Sequence, residues 1–252
     1  MATGVFDLPG PLFAWLDAQA GGVAPGLRLV LWGALAATVS MLLYGAVSAQ
    51  ERIRLGRVQI AEAKRDLDRF DGEWEHAMPL VCRLLRLAFT QVGRVGWPSI
   101  VASLPLLSLL AWLSSTYAYD FPAHGTVPAV HAEPAGTLRA QWVAGACRPD
   151  GQHDCPPGRG PRILVFDGAR RIAEVPLAAP VPVVHKRQWW NVFLHNPAGY
   201  LPADAPFDAL RIDLPAREYL PFGPRWSRMW ATLFFASLIL VSLGLKRGLR
   251  LV

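Results

Sequence analysis

Residues 29–50 read LVLWGALAATVSMLLYGAVSAQ, and residues 51–78 read ERIRLGRVQIAEAKRDLDRFDGEWEHAM. The first stretch carries no charge, and almost half of the second is charged. At about 1.5 Å of rise per residue, an uncharged helix of this length covers a hydrocarbon core of roughly 30 Å. The second stretch is too polar to enter lipid. The boundary between them therefore reads as a membrane surface, and the rest of the chain is placed from it.

The 252-residue chain is 52% hydrophobic, with a mean hydropathy of +0.26. That is apolar for a soluble protein and polar for one made only of membrane helices. A few spans joined to water-exposed parts are expected. The net charge is +6, with 25 Lys and Arg. Beside membrane spans, such charge sets topology and contacts anionic lipid, so no specific nucleic-acid partner is expected.

Two further apolar runs follow, giving spans at 29–49, 98–118 and 226–246. Pro105 lies within the second, where a membrane helix tolerates it as a kink. Trp97, Tyr117, Trp226 and Trp230 stand near span ends, as an interfacial aromatic belt requires. Lys and Arg cluster after the first span (Arg52, Arg54, Arg57, Lys64, Arg65), before the second (Arg83, Arg86, Arg94) and after the third (Lys246, Arg247, Arg250). The positive-inside rule then puts the N-terminus outside and the C-terminus in the cytoplasm of a bacterial inner membrane. Residues 1–28 lack the basic start of a secretory signal. They read either as an interfacial helix, with Phe13, Trp15 and Leu16 facing lipid, or as a loosely ordered leader.

Residues 50–97 form the cytoplasmic part. Ile53, Ile60, Leu67, Phe70 and Trp74 recur at spacings of seven, seven, three and four, one apolar stripe of a helical arm. The repeat is that of a short coiled coil. Asp71-Gly72 offers a turn. Pro79–Val95 then reads as a separate amphipathic helix, with Leu80, Leu84, Leu87 and Gln91 in line. Its Arg83, Arg86 and Arg94 either lie on the anionic membrane surface or flank a helix packed beneath the spans.

Residues 119–225 hold sixteen of the 22 prolines, which marks a separate turn-rich unit. Short runs at 137–143, 163–166, 171–175, 181–184 and 210–214 read as strands, with a hairpin at Asp167-Gly168. A short helix is expected at 188–195. Cys147 and Cys155 close an eight-residue step, a disulfide in an oxidising compartment. An alternative adds His153 as a third ligand for zinc or copper, although the spacing matches no common structural zinc pattern. The expected fold is a membrane protein with three transmembrane α-helices, a cytoplasmic helical arm and an extracytoplasmic all-β, sandwich-like domain. The tail is 247–252.

No phosphate loop, nucleophile elbow or metalloprotease helix is present. The span interiors carry no ionisable residue, whereas transporters and pumps usually need one. A non-enzymatic protein with no cofactor and no metal is expected.

The run Ser48-Ala-Gln50-Glu-Arg-Ile53 leads from the first span into Ile60 and Leu67. The chain closes with Trp226-x-x-x-Trp230 through the last span to Leu245-Lys-Arg-Gly-Leu-Arg250. This order, over residues 27–118 and 224–252, resembles the YidC-type insertase superfamily, in particular its three-span archaeal and endoplasmic-reticulum members. The resemblance implies a role in membrane-protein insertion or complex assembly. The spans would contact clients and the arm a ribosome or partner. The chain departs from the family in having no charged groove residue between spans and a large domain between spans two and three. The alternative reading is an accessory or scaffold subunit of a larger membrane complex, docking through its extracytoplasmic β-domain.

Overall fold

The computed structural model describes residues 5–72, 74–123, 125–134, 138–147, 155–156, 159–189, 191 and 199–249, with backbone alone at 74–76 and 249. Residues 148–154 with His153, most of the helix expected at 188–195 and the Trp74 side chain lie outside the described residues. Five α-helices are present among those residues: α1 (Gly10–Gln19), α2 (Pro25–Val47), α3 (Gln50–Asp68), α4 (Trp74–Tyr117) and α5 (Trp230–Leu249). Six strands lie between α4 and α5: β1 (Val130–Glu133), β2 (Leu138–Val143), β3 (Arg162–Asp167), β4 (Arg170–Pro176), β5 (Val183–His185) and β6 (Ala209–Ile212). Three helices are long and apolar enough to cross a membrane: Pro25–Val47, Ala77–Tyr117 and Trp230–Gly248. The chain divides into two compact units, Met1–Leu31 with Leu107–Phe235, and Trp32–Leu106 with Ala236–Val252.

In the first unit the strands form two antiparallel three-stranded sheets, ordered β1-β6-β5 and β2-β3-β4. Alternation along β3 turns Ile163 and Val165 inward, and β6 contributes Leu210 and Ile212. These residues, with Trp142, Val175, Val184 and Phe207, make one hydrophobic core shared by both sheets. The hairpin expected at Asp167-Gly168 is present. Asp167 faces Arg170 across the turn, and Gly168 has a φ of 60°, a left-handed conformation that a side chain disfavours. Strand β1 had no sequence signal. Only four residues long and followed by Pro134, it is held by pairing with β6, Val130 against Ile212. Cys147 and Cys155 form a disulfide, with Cα atoms 5.8 Å apart.

The second unit contains α3 and most of α4, joined by the short link that includes Gly72. They run antiparallel. Asp66 pairs with Arg83 at 3.5 Å, and Gln91 Nε2 donates to the Ile53 carbonyl at 3.0 Å. Arg94 Nη1 donates to the Arg52 carbonyl at 3.4 Å. The buried face of α3 is Ile53, Gly56 and Ala63, with Ile60 and Leu67 half-buried between and beyond them. Two small residues thus occupy positions that the search for large apolar side chains passed over. On α4 the line Leu80, Leu84, Leu87 and Gln91 is half-buried.

Two separate helices were expected over 79–95 and 98–118; the structure has one helix of 44 residues containing Pro79, Pro98 and Pro105. Proline removes an amide donor from a helix. A membrane helix tolerates this, and within it Ser99 Oγ donates to the Val95 carbonyl and Ser103 Oγ to the Ile100 carbonyl, each at 2.8 Å. The first span also begins earlier than expected, at Pro25, because proline suits a first helical turn.

Candidate functional site

The most organised polar group lies in the first unit, where helix ends meet the chain that leaves the sheets. Asp17, near the end of α1, is buried. Its Oδ2 accepts from Arg28 Nη1 at 2.8 Å, and its Oδ1 accepts from Tyr117 Oη at 2.5 Å. Arg28 sits in the first turns of α2, and Tyr117 is the last residue of α4. One carboxylate therefore ties three helices. The Arg28 guanidinium also lies 5.9 Å from the centre of the Tyr117 ring, within cation–π range. Phe13 and Trp112 continue the contact, with ring centres 5.8 Å apart, and Trp112 meets Tyr117 edge-on.

A second layer joins this group to the segment after β6. Tyr219 Oη donates to the Tyr117 carbonyl at 2.8 Å. Arg217 donates to Asp120 through both Nε, at 3.0 Å, and Nη2. The backbone repeats the tie: Arg217 N bonds the Ala118 carbonyl, and Asp120 N bonds the Pro215 carbonyl. The hydrogen bond to Asp120 raises the Arg217 pKa above its ordinary value, so this cation is fixed. Burial pushes the Tyr219 hydroxyl up to about 12, against the opposing pull of Arg217.

Chemically this group is a set of ties between segments. Asp17 already accepts from a cation and a phenol, and Asp120 from a guanidinium, so neither is poised as a free base. Tyr117, read from sequence as an interfacial aromatic, turns inward and is only 2% exposed. Asp17, Arg28, Asp120, Arg217 and Tyr219 were not singled out from sequence. The available signal was a lone acid and the first basic residue in an otherwise uncharged stretch beyond Asp7.

The other sequence-selected residues lie elsewhere. Trp226 is exposed, and Trp230 meets Phe234 at 6.2 Å. In the second unit, Ile53, Ile60 and Leu67 share the face of α3 toward α4, Phe70 follows in the link, and Trp97 is exposed. Arg83, Arg86 and Arg94 are exposed, the first and last engaged with α3. Phe13 faces Trp112, while Trp15 is exposed.

A cavity of about 680 Å³ borders Ser115, Tyr119, Glu133, Lys186, Tyr200 and Trp230. Two of its charged walls are engaged already. Lys186 Nζ donates to the Ala205 carbonyl at 2.7 Å, and Glu133 accepts from Arg211 at 2.9 Å. Burial, with Asp7 nearby, raises the Tyr200 pKa. No group of three His, Cys, Asp or Glu is placed to hold a metal among the described residues. No protein-family model, no curated protein and no solved structure matches this chain.

Proposed function

We propose that this chain is a non-enzymatic, multi-pass inner-membrane protein acting as an accessory or scaffold subunit of a membrane complex. Its β-rich unit would stand outside and serve as the docking module. The α3–α4 hairpin would stand in the cytoplasm, as the placement of Lys and Arg near the span ends favours.

The observation that carries this reading is the junction around Asp17. A module that swings on a loose linker needs no buried ties to the ends of its membrane helices. Here two carboxylates, two tyrosines and two arginines hold the exit of the sheets against the ends of α1, α2 and α4. Ties of this kind at the base of a module suit a platform for a second subunit. Exposed apolar side chains on α5, among them Phe235, Ile239, Leu240 and Leu243, supply a face for lipid or a partner helix.

A second reading, an insertase-like role, is favoured by the helical hairpin that directly follows the first span. Against it stands the lack of any Asp, Glu, Lys or Arg within the apolar stretches 29–49, 98–118 and 229–245. Purification of the full chain in gentle detergent, followed by mass spectrometry, separates the two. A stoichiometric, stable companion supports the scaffold. A mixture of substoichiometric membrane proteins, whose levels fall on depletion of this chain, supports the insertase-like role. A chain that purifies alone and whose depletion changes no other membrane protein refutes both.

A further inference from the structure

We propose that a cleft beside the start of α3 binds the phosphate headgroup of an anionic phospholipid, an inference that rests on reading α2 and α4 as spans. The cleft, about 460 Å³, opens within the second unit where the end of α2, the first turn of α3 and the middle of α4 meet. It is lined by Val47, Ala49, Arg52, Arg94, Trp97 and Pro98. Its level is set by sequence: Val47 ends one apolar helix, and Pro98 opens the apolar part of another.

Charge is the first argument. Arg94 lies against the first turn of α3, donating to the Arg52 carbonyl, so both arginines line one small space. Neither guanidinium has a carboxylate partner among the described residues. Arg54, by contrast, pairs with Glu51 at 2.7 Å and Arg83 with Asp66, and neither of these lines the cleft. Two cations lining one cleft sum their potentials there, and that favours an anion. The planar guanidinium fork suits phosphate oxygens in particular.

Shape and polarity are the second argument. Trp97 is 67% exposed and Val47 is 40% exposed, so apolar surface borders the cationic mouth. A free phosphate would leave both unused. A phospholipid uses them, with its phosphate between the arginines and its glycerol and acyl carbons along Val47 and the indole, where tryptophan settles in bilayers. Gly93 leaves the wall open, since a Cβ there would meet nothing within 4 Å.

Native mass spectrometry of the full chain in detergent, with phosphatidylglycerol or phosphatidylcholine added at matched ratios, reads the site directly. The expected result is preferential retention of phosphatidylglycerol. The double variant Arg52→Gln/Arg94→Gln should lower that retention about tenfold or more, since charge-assisted hydrogen bonds are lost. Gly93→Leu should lower it too, filling the cleft with both charges in place. Arg54→Gln should leave it unchanged. Equal retention of both lipids, undiminished binding in the double variant and in Gly93→Leu, or equal loss in Arg54→Gln would overturn the proposal. So would displacement of the lipid by inorganic phosphate at the same concentration, which would mark a site for the free anion. Lipid is counted on the isolated chain, so a missing partner subunit refutes the scaffold and leaves this result standing.

Discussion

At the scale of single residues, the Asp17 carboxylate has the largest expected effect. It and Arg28 are both mostly buried, with side-chain exposures of 7% and 17%. Removing one partner of a buried pair strands the other charge, at a cost of about 3 kcal/mol. Asp17→Asn should therefore lower the thermal midpoint of the detergent-solubilised chain sharply. Tyr117→Phe removes one hydrogen bond, worth about 1 kcal/mol, and should shift the midpoint less. Arg54→Ala, on an exposed i,i+3 pair, should move it by no more than about 0.5 kcal/mol. Equal midpoints for Asp17→Asn and Arg54→Ala would show that the junction does not hold the helices.

Tyr219 gives a pH signature in the same place. Its hydroxyl is raised to about 12 in the folded chain, against about 10 for an unperturbed tyrosine. The folded state thus keeps a proton that the unfolded state releases. Its contribution to stability is whole below about pH 10 and is lost as pH rises from there through about 12. Denaturation at stepped alkaline pH should show this fall, and Tyr219→Phe should flatten it. A slope identical in the variant would refute the assignment.

At the scale of elements, two glycines of the α3–α4 hairpin are expected to respond oppositely. A Cβ at Gly56 would lie 2.1 Å from Gln91 Oε1, so Gly56→Leu must displace the side chain that bonds the Ile53 carbonyl. Hydrogen exchange should then speed up in α3 and the facing part of α4. Gly93→Ala meets no obstacle and should stabilise the hairpin by about 0.5–1 kcal/mol, the ordinary helix preference of alanine over glycine. Faster exchange in Gly93→Ala, or none in Gly56→Leu, would contradict the interhelical register.

The elements also mark where local sequence was readable. Strands β2, β3 and β4 lay where alternation and the Asp-Gly turn placed them, because those signals are local. Strand β1 was missed because its reason for existing, the partner β6, is some eighty residues away. The long α4 reads as two pieces because its prolines are strong local breakers, whereas a long apolar helix tolerates them. Gly56 and Ala63 escaped notice because a search for a stripe looks for bulk, while a close helix contact selects smallness.

At the scale of the whole molecule, membrane orientation is the property most open to a direct check. Cys82 is a free, exposed thiol on the hairpin, and Cys147 and Cys155 are joined near the sheets. A membrane-impermeant maleimide should label Cys82 in inverted vesicles and not in intact cells. The cysteines of the pair should react only after reduction, and then from the outside. Labelling of Cys82 in intact cells would reverse the proposed topology. The three long apolar helices were legible because hydropathy is summed over many neighbours. The Asp17 junction was not, since its members are scattered through the chain and nothing at either end announces the other.

That separation has a consequence in time. Tyr117 follows Asp17 by 100 residues, and Tyr219 follows Tyr117 by 102. At a synthesis rate of about 5–20 residues per second, Asp17 and Arg28 wait roughly 5–20 seconds for the first tyrosine and as long again for the second. Through that interval the nascent chain holds the Asp17–Arg28 pair without the phenol that completes the carboxylate's bonding. The junction closes only once Tyr219 has been made, so it records that α4 and the intervening sheets have arrived.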